Sequence, residues 1–216
     1  PTTSVRRSSS PGDIPEHMRP LEQRRMERAP SILGLDPPDH TRLRKLVQRT
    51  FTPRSISNMR AQTEVIVESL LDDLTGRESI DLIADYAFVV PFTVIHSMLG
   101  LPEADTMKVR EWSGALTQTL EPFLTPEQVT AAVDAGHKMD AYLTDAIEWK
   151  RLEPGDDLLT GLIQVEEEGD RLDGDELLSM VGLLFVAGHE TTVNLIGNGT
   201  HALLCNPEQT ELVRTA

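Results

Sequence analysis

The run Ala187-Gly188-His189-Glu190-Thr191-Thr192 places an imidazole, a carboxylate and a hydroxyl side by side at the end of an apolar stretch. Glycine inside a helix costs up to about 1 kcal/mol relative to alanine, so Gly188 needs a reason, such as the close approach of a flat ligand. At helical spacing the Thr191 hydroxyl reaches the carbonyl of Ala187, which leaves room for water or a small molecule. Glu190 beside that hydroxyl makes a proton route. The same cluster also suits a buried polar group satisfied from within, since a buried carboxylate without partners would sooner take up a proton. A zinc site of the His-Glu-x-x-His kind is excluded, because Val193 stands where the second histidine is needed.

A second pair lies far upstream. His40 and Arg44 are four apart and share a helix face, which continues to the apolar Val47 and Phe51. Two cations on a packing stripe suit a buried carboxylate, with Arg44 presenting a planar fork. The alternative is an Arg44 that snorkels and a His40 at a frayed helix start. Arg42, Lys45 and Arg49 are offset from that face by the helical period and are expected to point outward.

The elements that must position these groups read as helices. Residues 1–38 are rich in Pro, Ser and Arg and read as loop, with one short helix near Leu21–Arg28. From Asp39 the pattern is helix after helix: Asp36 as cap, Pro37 at a first helical position, and a run to about Phe51. The next helix restarts at Thr52-Pro53 and continues to Gly76, with Ile56, Met59, Val65, Val67, Leu70, Leu71 and Leu74 as its buried stripe. Further helices are expected over Leu82–Leu99, Glu103–Leu120, Pro126–Arg151 and Asp156–Glu168. The last runs from about Asp173 to Leu204, about 30 residues or roughly 45 Å. Between Leu177 and Ala187 it is apolar on nearly every face, so it is expected to be surrounded by protein. No alternating strand pattern and no repeat is apparent. The fold class is mainly α: a loop-rich 1–38 and a helical 39–216, read as a single incomplete domain.

Composition bounds the rest. The chain has 216 residues, 39% hydrophobic and 25% charged, an ordinary balance for a globular protein. Aromatic residues are only 4%, so the core is expected to be built from Leu, Val, Ile, Ala and Met. Cys205 is the one cysteine, which excludes a disulfide framework and fits a reducing, cytoplasmic setting. The longest apolar run, Met180 to Gly188, falls short of the roughly 20 residues of a membrane span, and no signal peptide opens the chain. A net charge of −15 argues against nucleic acid. It is unevenly spread: residues 1–60 hold 12 of the 20 Lys and Arg but 6 of the 35 Asp and Glu. That asymmetry is either scatter on helix surfaces or a basic patch for an acidic partner.

Three segments together resemble the cytochrome P450 family, in its soluble bacterial form. Gly34-Leu35-Asp36-Pro37-Pro38-Asp39-His40-Thr41-Arg42-Leu43-Arg44 looks like the family's C-helix entry. Pro154-Gly155-Asp156-Asp157-Leu158-Leu159 is similar to the link before its H helix, and Ala187–Thr192 to the oxygen-binding groove of its central I helix. The resemblance implies a P450-like helical domain from the C helix to the start of the J helix. It implies haem as cofactor, with His40 and Arg44 on a propionate and Ala187 and Gly188 over the distal face. Thr191 would stand beside dioxygen and Glu190 would feed protons. Leu183, Val186 and Ala187 would face an apolar substrate, whose choice is expected to lie in residues 1–33 and the Leu116–Phe123 loop. A ferredoxin-type partner would dock at Arg42, Lys45 and Arg49. The implied activity is monooxygenation, one atom of O2 entering an apolar molecule; a non-catalytic all-α ligand-binding or regulatory domain is the alternative.

The chain departs from the family in one respect. Neither the Phe-Gly-x-Gly loop with the iron-ligating cysteine nor the structural Glu-x-x-Arg pair is expected in this chain, and Cys205 reads as a packing or chance cysteine. The segment is therefore expected to be the middle of a monooxygenase and inactive alone.

Overall fold

The computed structural model describes residues 14–51, 53–103, 106–167 and 172–215. Nine α-helices are present among them and no strand: α1 Arg19–Glu27, α2 Asp39–Thr50, α3 Pro53–Leu74, α4 Val89–Leu99, α5 Thr106–Thr117, α6 Pro126–Leu152, α7 Leu158–Glu167, α8 Gly174–Cys205 and α9 Pro207–Thr215. Residues 1–13 of the expected loop region, and Glu168, lie outside the described residues.

The helix boundaries follow local chemistry. α6 opens on a capping box, in which the Thr125 hydroxyl accepts from the Gln128 N–H while the Gln128 side chain accepts from the Thr125 N–H. α8 opens on the same device built from Asp173 and Glu176. α3 is followed by Gly76, whose φ of +86° is left-handed and suits glycine. Two expectations fail at boundaries. Asp36 does not cap α2, which starts at Asp39 with no side-chain cap. Pro37 precedes Pro38, and the residue before a proline is pushed out of helical geometry, so the helix begins beyond both. The expected helix over Leu82–Leu99 is instead a π-helical turn, Leu82–Ala87, capped by Asp81, followed by α4.

The chain forms two compact units. The first comprises residues 1–52 and 99–184, the second 53–98 and 185–216. In the first, α1 and α5 pack on α6, and α2 and α6 on α7. Its core is aliphatic, as composition required, with Leu43, Leu46, Val129, Met139, Leu143, Leu159, Leu162, Leu177 and Val181 all buried. The second unit is different. Phe88, Phe92 and Phe185, three of the chain's five phenylalanines, are buried together. The scarce aromatic residues are concentrated rather than absent. The expected stripe on α3 is not buried: Ile56, Val65 and Leu71 are exposed, and Met59, Val67, Leu70 and Leu74 are half-buried.

The segment at 154–159 is a structural lock within the first unit. Asp157 Oδ1 accepts from the Thr160 N–H at 2.8 Å and so caps α7, while Oδ2 pairs with Lys150 Nζ at 2.8 Å. Both side chains are nearly sealed from solvent, at 6% and 10% exposure. Gly100 (φ +60°) lies against that carboxylate, where a Cβ would fall 2.6 Å from its Cγ. Glycine at 100 thus serves both the left-handed turn after α4 and the close approach of Asp157.

By length and mean hydropathy two stretches could span a bilayer, Leu82–Leu99 at 1.6 and Gly174–Cys205 at 1.2. Counting unbroken apolar runs missed both. Core helices pass the same test: Ala87, Phe88, Val90, Phe92, Ile95 and Leu99 are buried in the first stretch, and Leu177, Met180, Val181, Phe185 and Val193 in the second.

Candidate functional site

Within the second unit, α8 has two sides of opposite character. Phe185, His189 and Val193, four apart, form its buried side. Ala187, Gly188, Thr191 and Leu195 form an exposed side. The Thr191 hydroxyl donates to the Ala187 carbonyl at 3.1 Å, the back-bond expected from their spacing. α8 runs through this contact without interruption. Glu190 lies between the two sides, with 18% of its side chain exposed. Val186 is half-buried here, and Leu183, on the same helix but in the first unit, is half-buried too.

Gly188 has a steric reason that differs from the expected one. A Cβ there would fall 2.8 Å from Ile95 Cγ1 and 2.9 Å from Cδ1. The glycine admits a side chain of α4. Gly197, nine residues on, does the same for Ile83 of the π turn, with a would-be contact of 2.7 Å. Small residues on α8 are thus used first for helix packing.

His189 is the residue whose role sequence reasoning missed. It is fully buried, its Nδ1–H donating to the Phe185 carbonyl at 2.7 Å. Phe88, Phe92 and Phe185 surround the ring with centroids 5.6, 5.9 and 5.5 Å away. Burial pushes its pKa below the usual imidazole range, so it is neutral. Its Nε2, a buried acceptor with no hydrogen-bond partner, faces Glu190 Oε1 at 3.8 Å. That distance is beyond a hydrogen bond, and with a neutral ring it is no ion pair. The signal that would have found this cluster was the pair of i, i+4 couples Phe88/Phe92 and Phe185/His189.

In the first unit, α2 is packed through Leu43 and Leu46, not through the His40–Arg44 face. His40 is half-buried and Arg44 exposed, and neither side chain has a partner among the described residues. Lys45 and Arg49 are exposed, as their offset required. Arg42 is not a free outward cation. It is ion-paired with Glu176, the acid at the start of α8. Cys205 is exposed, so it packs in no core; its Sγ lies 3.8 Å from His201 Nε2. A Glu-x-x-Arg sequence does occur, contrary to expectation, at Glu211 and Arg214 on α9. The two are 3.4 Å apart and 66% and 75% exposed, a surface pair of the kind worth about 0–1 kcal/mol.

No family model matches the chain. It is 48% identical over 185 residues to cytochrome P450 107B1 of Saccharopolyspora erythraea, covering 86% of this chain and 44% of that protein. It is 42% identical to the cytochrome P450 monooxygenase PikC of Streptomyces venezuelae, covering 85% and 43%. The crystal structure of the myxobacterial cytochrome P450 CYP267B1 in complex with myristic acid superposes with a TM-score of 0.82 at 39% identity, over 94% of this chain and 51% of that one. The chain belongs to the cytochrome P450 family. It spans somewhat less than half the length of these curated relatives.

Membership implies haem iron as the cofactor, and the P450 chain has residues that fit it. The open side of α8 presents nothing larger than a methyl group at 187 and 188 and a hydroxyl at 191, which suits a flat macrocycle. On α2, the Arg44 fork, without a partner among the described residues, and the His40 ring suit a propionate carboxylate.

Proposed function

We propose that this P450 segment belongs to a haem-thiolate monooxygenase that inserts one oxygen atom of O2 into an apolar small molecule. The observation that carries the proposal is the open side of α8, where a threonine hydroxyl and a partly exposed acid adjoin two residues with almost no side chain. Haem, when bound, supplies dioxygen activation; the chain's residues hold it, exclude water and move protons. Ala187 and Gly188 would lie against the macrocycle, and His40 and Arg44 would hold a propionate. Glu190 has part of its side chain in solvent and lies between the buried and open sides of α8, so it can take a proton from water and release it toward the open side. Thr191 lies one residue further on the open side; with its proton on the Ala187 carbonyl, its oxygen can accept from a water there and so hold a proton donor in place.

An apolar substrate at Leu183, Val186 and Ala187 is supported by the names of relatives. One, 44% identical, is vitamin D(3) 25-hydroxylase of Pseudonocardia autotrophica, and another, 39% identical, is 6-deoxyerythronolide B hydroxylase. Electrons would come from a ferredoxin-type partner at a basic surface. Lys45 and Arg49 are its exposed members, and Arg42 contributes less because Glu176 offsets its charge. The cytoplasm is the compartment proposed, in keeping with the single unpaired cysteine.

Thr191→Ala in the full-length enzyme tests the reading. The hydroxyl is lost while the helix keeps a good former, so structure is spared. Product formed per reduced cofactor consumed should fall at least several-fold, with hydrogen peroxide making up the difference. An unchanged ratio would remove Thr191 from the mechanism.

A further inference from the structure

The first unit has a half-open cavity of about 520 Å3 between α1, the segment just before and after it, the end of α5, and Ser179 of α8. That volume is in the range of sites for small organic ligands. Its wall is apolar at Ile14, Met18, Leu21 and Leu116, yet three arginines also line it, Arg24, Arg25 and Arg28, against one acid, Glu22.

The arginines are held in place by design of the neighbouring helices. Arg24 and Arg28, four apart on α1, both reach Asp140 of α6, at 2.6 and 3.0 Å. Arg24 lies flat on Gly136, where a Cβ would come within 2.3 Å of its Cζ. Arg28 passes over Gly182 of α8 at 3.6 Å from its would-be Cβ. Gly136, unfavourable inside a long helix, thus leaves space for the Arg24 guanidinium, while Gly182 is in ordinary contact with Arg28.

Asp140 serves two cations with one negative charge, and Asp175 acts on Arg28 only as its weakest electrostatic neighbour. Burial lowers the pKa of Arg28, a sign that its charge is desolvated more than its partners compensate. Arg24 also has a buried Nε without an acceptor. Arg25 is 76% exposed, and its one ion pair among the described residues is with Glu22 on its own helix at 3.2 Å.

We infer that this cavity takes an amphiphilic carboxylate, its apolar body against Met18, Leu21 and Leu116 and its carboxylate on Arg28 and Arg25. A carboxylate is favoured over a neutral polar group because it supplies the missing charge and accepts from two guanidinium groups at once. As an account of the substrate's acidic end, this rests on the monooxygenase reading; as an account of binding, it does not.

The test is calorimetric titration of the full-length protein with tetradecanoic acid and with tetradecanol, which share a chain and differ in the head group. The acid should bind about tenfold tighter or more at low salt, the size expected of a charged hydrogen bond, and the preference should shrink as salt is raised. Arg25→Gln with Arg28→Gln should abolish the preference while leaving the alcohol's affinity unchanged. The exposed Arg25→Glu alone, which leaves the Asp140 contacts intact, should reduce it if the double variant fails to fold. Equal affinity of wild type for acid and alcohol would overturn the inference, as would a preference that survives Arg25→Glu and the folded double variant. Absence of a thiolate-type haem spectrum in the same protein would sink the monooxygenase reading while leaving the calorimetric preference intact.

Discussion

Replacing Asp157 by alanine should destabilise the chain by about 3–5 kcal/mol, the typical cost of breaking one side of a buried ion pair. The loss has two parts. Thr160 loses the acceptor that caps α7, a contribution of about 0.5–2 kcal/mol. Lys150, at 6% exposure, is left charged and unpaired except for the Trp149 ring, 4.5 Å below its Nζ. Companion variants separate the parts. Asp157→Asn keeps an oxygen for the Thr160 N–H and should cost less than alanine. Adding Lys150→Met to Asp157→Asn removes the stranded charge and should recover most of the stability, because an apolar replacement of a buried pair is often near neutral. Urea unfolding midpoints of the four proteins give the answer. If Asp157→Ala shifts the midpoint no more than a surface substitution, the lock is not structural.

Gly188→Val should destabilise by about 1–3 kcal/mol through overpacking. The first atom of any side chain meets Ile95 at 2.8 Å, and the two further methyl groups of valine have to displace α4 or α8. A β-branched residue also gains less than alanine from helix propensity. Since Ile95 is the obstacle, Ile95→Ala should cost stability alone by leaving a cavity, about 2–5 kcal/mol, yet cost much less when combined with Gly188→Val. Strict additivity in that cycle would mean that α4 is not the reason for the glycine. The outcome also bears on haem. A glycine required by α4 leaves the open side of α8 flat as a consequence of packing.

The helices were legible where breaks were chemical. Glu153-Pro154-Gly155, Gly100-Leu101-Pro102 and Asn206-Pro207 are all boundaries, because proline and glycine act through the local backbone alone. The Ala187–Thr191 back-bond was legible for the same reason: four residues of helix set it. The burial of α3 was not, because whether Ile56 and Val65 are covered depends on residues far away, and apolar spacing only says that one face could be. Gly188 was singled out for the approach of a flat ligand, and Ile95 supplies a packing reason that spacing could not show, since a missing side chain reads alike whichever fills the space. Arg24 and Arg28 gave an i, i+4 signal on α1, but their meaning lies in Asp140, 116 residues away from Arg24. Arg42 was expected to face solvent by periodicity, and Glu176 on another helix took it. Spacing within a helix predicts faces; it does not predict which partner each face finds.

The absorbance spectrum of the reduced, carbon-monoxide-bound full-length protein tests the central claim most directly. A haem-thiolate monooxygenase should show the Soret band displaced to the position characteristic of a sulfur-ligated iron. A protein that purifies without haem absorbance after reconstitution, or with its Soret band at the position of a histidine-ligated iron, would contradict the account and return the segment to the class of non-catalytic ligand-binding domains.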